Sequence, residues 1–270
     1  MVGDSYVEAF QVDYNKSLSE ILRAKLGSDK YEVFRFGISG APLSQYLHVF
    51  RTEILKYAPD LLIFILVHND FSESFRYVPG RYTSSFLKLA LEKGAVKKEI
   101  APSGYLKRWY EPIRRTSLFR YFYYRQNVNI NFLKKSIFHF YSEDKNKYEA
   151  NIDVKSLKNE FQDIIVSTNY IFKKLKSLGV LSRVELLLVA DGVRQKIYSG
   201  VKPEPSGEKG AAKLNSMARR LAKTEGIPFL DLHPVFRKMY EKEKKDSTPQ
   251  WMAIGMSTAT RLWRMPSTGI

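Results

Sequence analysis

From Leu61 to Val67 the chain runs through seven consecutive apolar residues, Leu-Leu-Ile-Phe-Ile-Leu-Val, set between Pro59-Asp60 and His68-Asn69-Asp70. With no polar residue in alternation, such a run has no face to offer water, so it predicts a strand covered on both sides, as in a parallel sheet packed between helices. It is also far short of the roughly 20 residues that cross a bilayer.

The flanking sequence alternates in the way that reading requires. Ser17-Leu18-Ser19-Glu20 has the spacing of a capping box and predicts a helix ending near Gly27, followed by a strand from Tyr31 to Phe36. After a turn with Gly37 and Gly40, Pro42 opens a helix in which Tyr46, Phe50, Ile54 and Tyr57 recur at helical spacing until Ala58-Pro59-Asp60. Downstream come a helix over about 154–178, a buried strand Val184 to Val189, a helix from about Gly207 to Glu225 and a short strand Phe229 to Leu232. Strands alternating with helices predict an α/β fold, a three-layer doubly wound parallel sheet.

Regularity lapses between about 72 and 150, where Pro79-Gly80 and Ala101-Pro102-Ser103-Gly104 break the chain and cations interleave with aromatics. This stretch is expected to be a helical insertion after the third strand, within one domain spanning 1–250. In it, Leu118, Tyr121, Phe122 and Arg125 share one helical face, as a cap over a site would require. The same composition also suits stacking on bases or sugars.

At 270 residues and 44% hydrophobic, the chain can bury a substantial core. The absence of cysteine excludes disulfides, thiolate metal sites and cysteine nucleophiles, and leaves the compartment open. A formal charge of +16 favours anionic partners and speaks to association rather than to fold. With neither a basic-then-apolar leader nor a spanning segment, the chain as written reads as soluble, its localisation open.

Three short motifs carry the chemistry. Gly3-Asp4-Ser5, Gly37-Ile38-Ser39-Gly40 and His68-Asn69-Asp70 occur in that order, the second and third each after a predicted strand. Together they resemble the first three blocks of the SGNH (GDSL-like) serine esterase and acyltransferase superfamily. The resemblance covers about residues 1–245 and includes Leu186 to Val189 followed by Asp191-Gly192-Val193-Arg194 and Ile197-Tyr198, which look like a fourth strand and its loop. It implies a flavodoxin-like fold and an acyl-enzyme formed on Ser5, with the oxyanion held by the backbone amides of Ser5 and Gly40 and the side chain of Asn69. Neither a cofactor nor a metal is implied. His68 stands where the family commonly has glycine, and is read as a structural or substrate-lining residue rather than a base. Arg194 is a candidate for holding an anionic substrate group, against the simpler reading of a surface ion pair.

Two departures from the family stand out. Only Met1 and Val2 precede Gly3, so the first strand is expected to be missing, and with it any upstream signal or membrane anchor. Nothing after Asp246 resembles the family's closing aspartate–histidine block. Read from the last base of the Trp251 codon, however, the neighbouring frame forces aspartate and then glycine, and it permits histidine, tryptophan, asparagine, glutamate, tyrosine, glycine and histidine in order. Residues 251–270 are therefore expected to be a frameshifted tail, and the enzyme as written to be impaired. A second candidate base is His233 in Asp231-Leu232-His233-Pro234, where the alternative is an aspartate capping a helix with His233 beside it.

Serine-dependent hydrolysis or transfer of an acyl ester is the first functional expectation, on an ester-bearing small molecule or glycan. The second is a non-catalytic relative that binds polysaccharide. A basic nucleic-acid-binding protein is the third, without any recognisable binding motif to support it.

Overall fold

A computed structural model describes residues 1–27, 29–77, 85–103, 148–149, 152–193, 197 and 210–243. The short β1 (Val2–Gly3) leads directly into α1 (Ser5–Glu8), and α2 (Leu18–Leu26) precedes β2 (Phe36–Gly37). Next come α3 (Leu43–Val49), β3 (Leu61–Leu66), α4 (His68–Glu73) and a hairpin of β4 (Lys88–Glu92) and β5 (Ala95–Ile100). The two-residue strands β6 (Tyr148–Glu149) and β7 (Ile152–Asp153) lead into the long α5 (Val154–Ser182). The chain continues through β8 (Glu185–Ala190), α6 (Ala211–Thr224), β9 (Phe229–Asp231) and α7 (Leu232–Glu243).

The main sheet has the order β2-β1-β3-β8-β9, and every pairing in it is parallel. The fold is α/β with helices on both faces, as expected. Burial follows the period of two: Leu62, Phe64, Leu66, Leu186 and Leu188 enter one core with α3, α5 and α6. Ile63, Ile65, Leu187 and Val189 face the other way, toward Val7, Leu18, Leu22, Leu232 and Phe236 of α1, α2 and α7. This two-sided burial is why Leu61–Leu66 shows no polar alternation.

Four expectations are corrected. The first strand is present, though only two residues long: Phe36 N donates to the Met1 carbonyl at 2.8 Å and Ile38 N to that of Gly3 at 3.1 Å, which seats β1 between β2 and β3. The strand foreseen from Tyr31 is confined to Phe36–Gly37. The Ser17 side chain makes no capping bond to its helix; its hydroxyl lies 3.2 Å from that of Ser19, while Glu20 pairs with Arg23. The helix from Pro42 does not run evenly to Tyr57, because α3 widens into a π turn at Phe50–Ile54 and tightens into a 3₁₀ turn at Leu55–Tyr57.

In the segment expected to be a helical insertion, the described part after α4 is the β4–β5 hairpin. Its cause is local. Lys93 and Gly94 both have positive φ, 51° and 74°, the pair of angles that a two-residue hairpin turn requires. The hairpin is tied to the core by Arg51, which donates to both oxygens of Glu99 at 2.6 and 3.0 Å, and by the Tyr170 hydroxyl, which donates to Glu99 at 2.9 Å. The Leu118–Arg125 face and the 251–270 tail lie outside the described residues.

Candidate active site

In a sheet of this order the crevice opens at the carboxyl end, where the chain crosses from β1 to an edge strand and back. Ser5 follows β1 after one residue, and Asn69 follows β3 at the second position of α4. Gly40 lies in the turn after β2, where Ala41 N donates to the Ile38 carbonyl at 2.9 Å. Because β2, β1 and β3 are neighbours, the three residues leave the same edge of three adjacent strands.

Each is held by its own local structure. Asp4 is buried, and its side chain accepts from Tyr6 N at 2.9 Å, capping α1 so that Ser5 opens the helix with its N–H outside the helical ladder. Gly40 has φ +71°, a left-handed conformation that disfavours any other residue there. Asn69 is partly exposed, flanked by the buried His68 and Asp70.

Beneath α4 lies a buried polar layer. Asp70 Oδ2 accepts from the Tyr46 hydroxyl at 2.7 Å and from Val67 N at 2.9 Å, so the carboxyl closes the start of its own helix. Burial, with Asp4 nearby, lifts the Asp70 carboxyl well above the usual carboxylate range, and burial likewise lifts the Tyr46 phenol. Glu73 is half-buried at the end of α4; burial raises its carboxyl, while the nearby Lys88 pulls it back. Lys88 is fully buried and donates to the Glu73 carbonyl at 2.5 Å. Burial brings its ammonium down to about 8. Sequence reading missed Glu73 and Lys88, since nothing in their local pattern distinguishes them from a solvated pair.

No protein-family model matches the chain. No curated protein matches it either. Among solved structures the chain is similar to LAE5, an alpha/beta hydrolase enzyme from the metagenome of Lake Arreo, Spain, at 10% identity and a TM-score of 0.47, over 97% of this chain and 91% of that one. A likeness at this level brings neither chemistry nor substrate with it.

At the carboxyl end of β9, the opposite edge strand of the sheet, His233 and Asp231 form a further network. Asp231 Oδ1 accepts from His233 N at 2.9 Å and from Asn215 Nδ2 at 3.2 Å, while Oδ2 pairs with Arg219 at 2.5 Å. Asp231 thus caps α7 and is bound to α6. His233 Nδ1 accepts from Val193 N at 3.2 Å, so the neutral ring carries its proton on Nε2 and has no lone pair there for a serine proton. Arg194 lies outside the described residues. Among the described residues no cluster of acidic and histidine side chains could hold a metal, and no helix is long and apolar enough to cross a membrane.

Proposed function

We propose that this chain derives from a serine-dependent ester hydrolase or acyl transferase of the SGNH type. The observation that carries the reading is the exit of Ser5, Gly40 and Asn69 from the carboxyl ends of three adjacent parallel strands. In this reading Ser5 Oγ attacks the ester carbonyl, losing its proton to a base. The carbonyl oxygen becomes an oxyanion that accepts from the amides of Ser5 and Gly40 and from Asn69. The intermediate collapses with expulsion of the alkoxide, which takes a proton, and the acyl group rests on Ser5 until water or a hydroxyl acceptor removes it. The base is assigned to the histidine of the D-G-H-W-N-E-Y-G-H frame neighbouring residues 251–260, so the chain as written is expected to turn over slowly. Its substrate would be an ester-bearing small molecule or glycan, with neither cofactor nor metal.

A second reading is favoured by the bond from Val193 to His233 Nδ1, which leaves that ring unsuited to be the base: a protein that binds such esters or a polysaccharide without cleaving them. Reaction with a fluorophosphonate probe separates the two. Covalent labelling lost in Ser5→Ala supports the enzyme, whereas no label on the native chain, with retained binding to polysaccharide, supports the binder. Steep salt-dependent binding to DNA or RNA would support neither and point to a nucleic-acid partner.

A further inference from the structure

We propose that Tyr46 is a positioning residue for Asn69: by bonding Asp70 it locks α4 onto α3, so that the turn carrying Gly40 and the helix carrying Asn69 form one rigid unit. The assignment deepens the serine-esterase reading, in which these two residues are oxyanion donors, and rests on it. Gly40 stands three residues before α3, and Asn69 is the second residue of α4. The sheet joins them only loosely. Between their strands lies the two-residue β1, whose register with β3 rests on Val2 against Phe64.

The seam between α3 and α4 supplies what the sheet does not. Three consecutive residues of α3, Ser44, Gln45 and Tyr46, are buried although each carries polar atoms. Burying such groups costs free energy that an apolar strip would not, and a fully bonded strip specifies one arrangement of its partners. The Tyr46 hydroxyl donates to Asp70 Oδ2 at 2.7 Å. Ser44 N donates to Ser74 Oγ at 3.1 Å, and that hydroxyl donates to the Asp70 carbonyl at 2.8 Å. Asp70, the residue after Asn69, is thus gripped from α3 at its carboxyl and, through Ser74, at its carbonyl. The other end of α4 is closed by β4, where Lys88 donates to the Glu73 carbonyl at 2.5 Å and Leu89 N to that of Ser74 at 2.9 Å. Leu87 N donates in turn to Gln45 Oε1 at 2.8 Å, returning the seam to α3.

Within this seam the Tyr46 hydroxyl has a place of its own. The bonds to the Asp70 carboxyl converge on Oδ2, which also accepts from Val67 N at 2.9 Å and so closes the first turn of α4. Oδ1 is buried and has no hydrogen-bond partner among the described residues. Without the hydroxyl, the first turn keeps its own closure and loses its side-chain tie to α3. Asn69 lies in that turn. A donor that must meet an oxyanion within a fraction of an ångström loses rate when its support loosens, even where the fold survives.

The test is a double-mutant cycle on the rate of fluorophosphonate labelling of Ser5, with melting curves to confirm that each variant folds. Asn69→Ala is expected to slow labelling by about 10². Tyr46→Phe, which keeps the ring and removes the hydroxyl, should slow it by roughly tenfold, yet add almost nothing in the Asn69→Ala background. Burial raises the Asp70 carboxyl, and Asp70→Asn resembles its neutral form while keeping an oxygen for Tyr46 and Val67. That variant should label within about twofold of native, whereas Asp70→Ala should be at least as slow as Tyr46→Phe. A residue that merely fills the core would lower the melting temperature without slowing the folded chain. Native labelling by Tyr46→Phe, or equal slowing with and without Asn69, would overturn the proposal and leave the serine reading standing.

If the native chain takes no label, the serine reading falls, and amide hydrogen exchange still judges the lock. The Val67 amide should exchange about tenfold faster in Tyr46→Phe, while that of Leu188, bonded to the Pro228 carbonyl at 3.0 Å, keeps its native protection. Unchanged protection of Val67 would show that the hydroxyl does not hold α4.

Discussion

Val193 donates its backbone N–H to Nδ1 of His233 at 3.2 Å. In a serine triad the base presents a bare Nε2 to the nucleophile and a protonated Nδ1 to its aspartate; here the proton sits on the opposite nitrogen. His233→Ala should therefore leave the rate of Ser5 labelling within about twofold of native while removing one hydrogen bond, a loss of about 1 kcal/mol in denaturant stability. A collapse of labelling with unchanged stability would instead make His233 the base.

Gly37 works through contact rather than through the oxyanion. A Cβ at that position would lie 2.0 Å from Glu8 N and 2.5 Å from both Glu8 Cα and Val7 C, all backbone atoms of the helix that begins with Ser5. No side-chain rotation relieves such a contact, so Gly37→Ala must push α1 off β2. The expected cost is roughly 1–3 kcal/mol in stability, with slower labelling of Ser5 as its helix moves. A substitution that melts like the native chain would show that α1 is not seated against β2.

How far the sequence disclosed these relationships depended on how local their causes are. Leu61–Leu66 is readable because burial on two faces imprints itself on consecutive residues, whereas Leu18–Leu26 is marked by the Ser17–Glu20 spacing although the Ser17 side chain caps nothing. The Lys93-Gly94 turn is equally local, but it sits in a stretch whose cations and aromatics suggest helices and mask its two-residue signature. Lys88 and Glu73 are different in kind. Whether a lysine is solvated or buried under α4 depends on Ser44 and Gln45 gripping Leu87, just before the hairpin, from 43 and 42 residues away, and no window of sequence contains that. Of the site, Ser5, Gly40 and Asn69 were nominated by motif, whereas the residues around Asn69 emerged only from packing.

Stability against pH should show two opposed slopes. The Met1 ammonium is buried, donates to the Phe34 carbonyl at 2.7 Å, and has its pKa lowered by burial from 8.0 to about 5. The unfolded chain therefore binds the extra proton between those values, and stability falls as pH drops through that window. Asp70 and Glu73, raised by burial, act in reverse: the folded state holds the proton more tightly, and stability is lost as pH rises through their folded values. In an Asp70→Asn, Glu73→Gln, Lys88→Met chain the Met1 slope should stand alone, with a loss of about 2 kcal/mol between pH 8 and pH 6. Urea titrations of that variant giving a flat profile would place the amino terminus in water.

The assignment of the base makes the strongest demand on turnover. Ser5 carries its own weak hydroxyl acidity, and preorganised donors stabilise an oxyanion only once an alkoxide has attacked, so donors without a base give slow acylation. Replacing residues 252–260 with the D-G-H-W-N-E-Y-G-H of the neighbouring frame should supply a histidine with an aspartate two residues before it. Hydrolysis of a simple aryl ester should then rise by several orders of magnitude, approaching the roughly 10⁶ that separates intact from base-less serine triads. The gain should vanish in Ser5→Ala and appear in kcat more than in KM, because a base acts on the transition state and adds little to ground-state binding. A replaced chain no faster than the original would remove the neighbouring frame from the mechanism, and would leave the labelling of Ser5 to decide between enzyme and binder by itself.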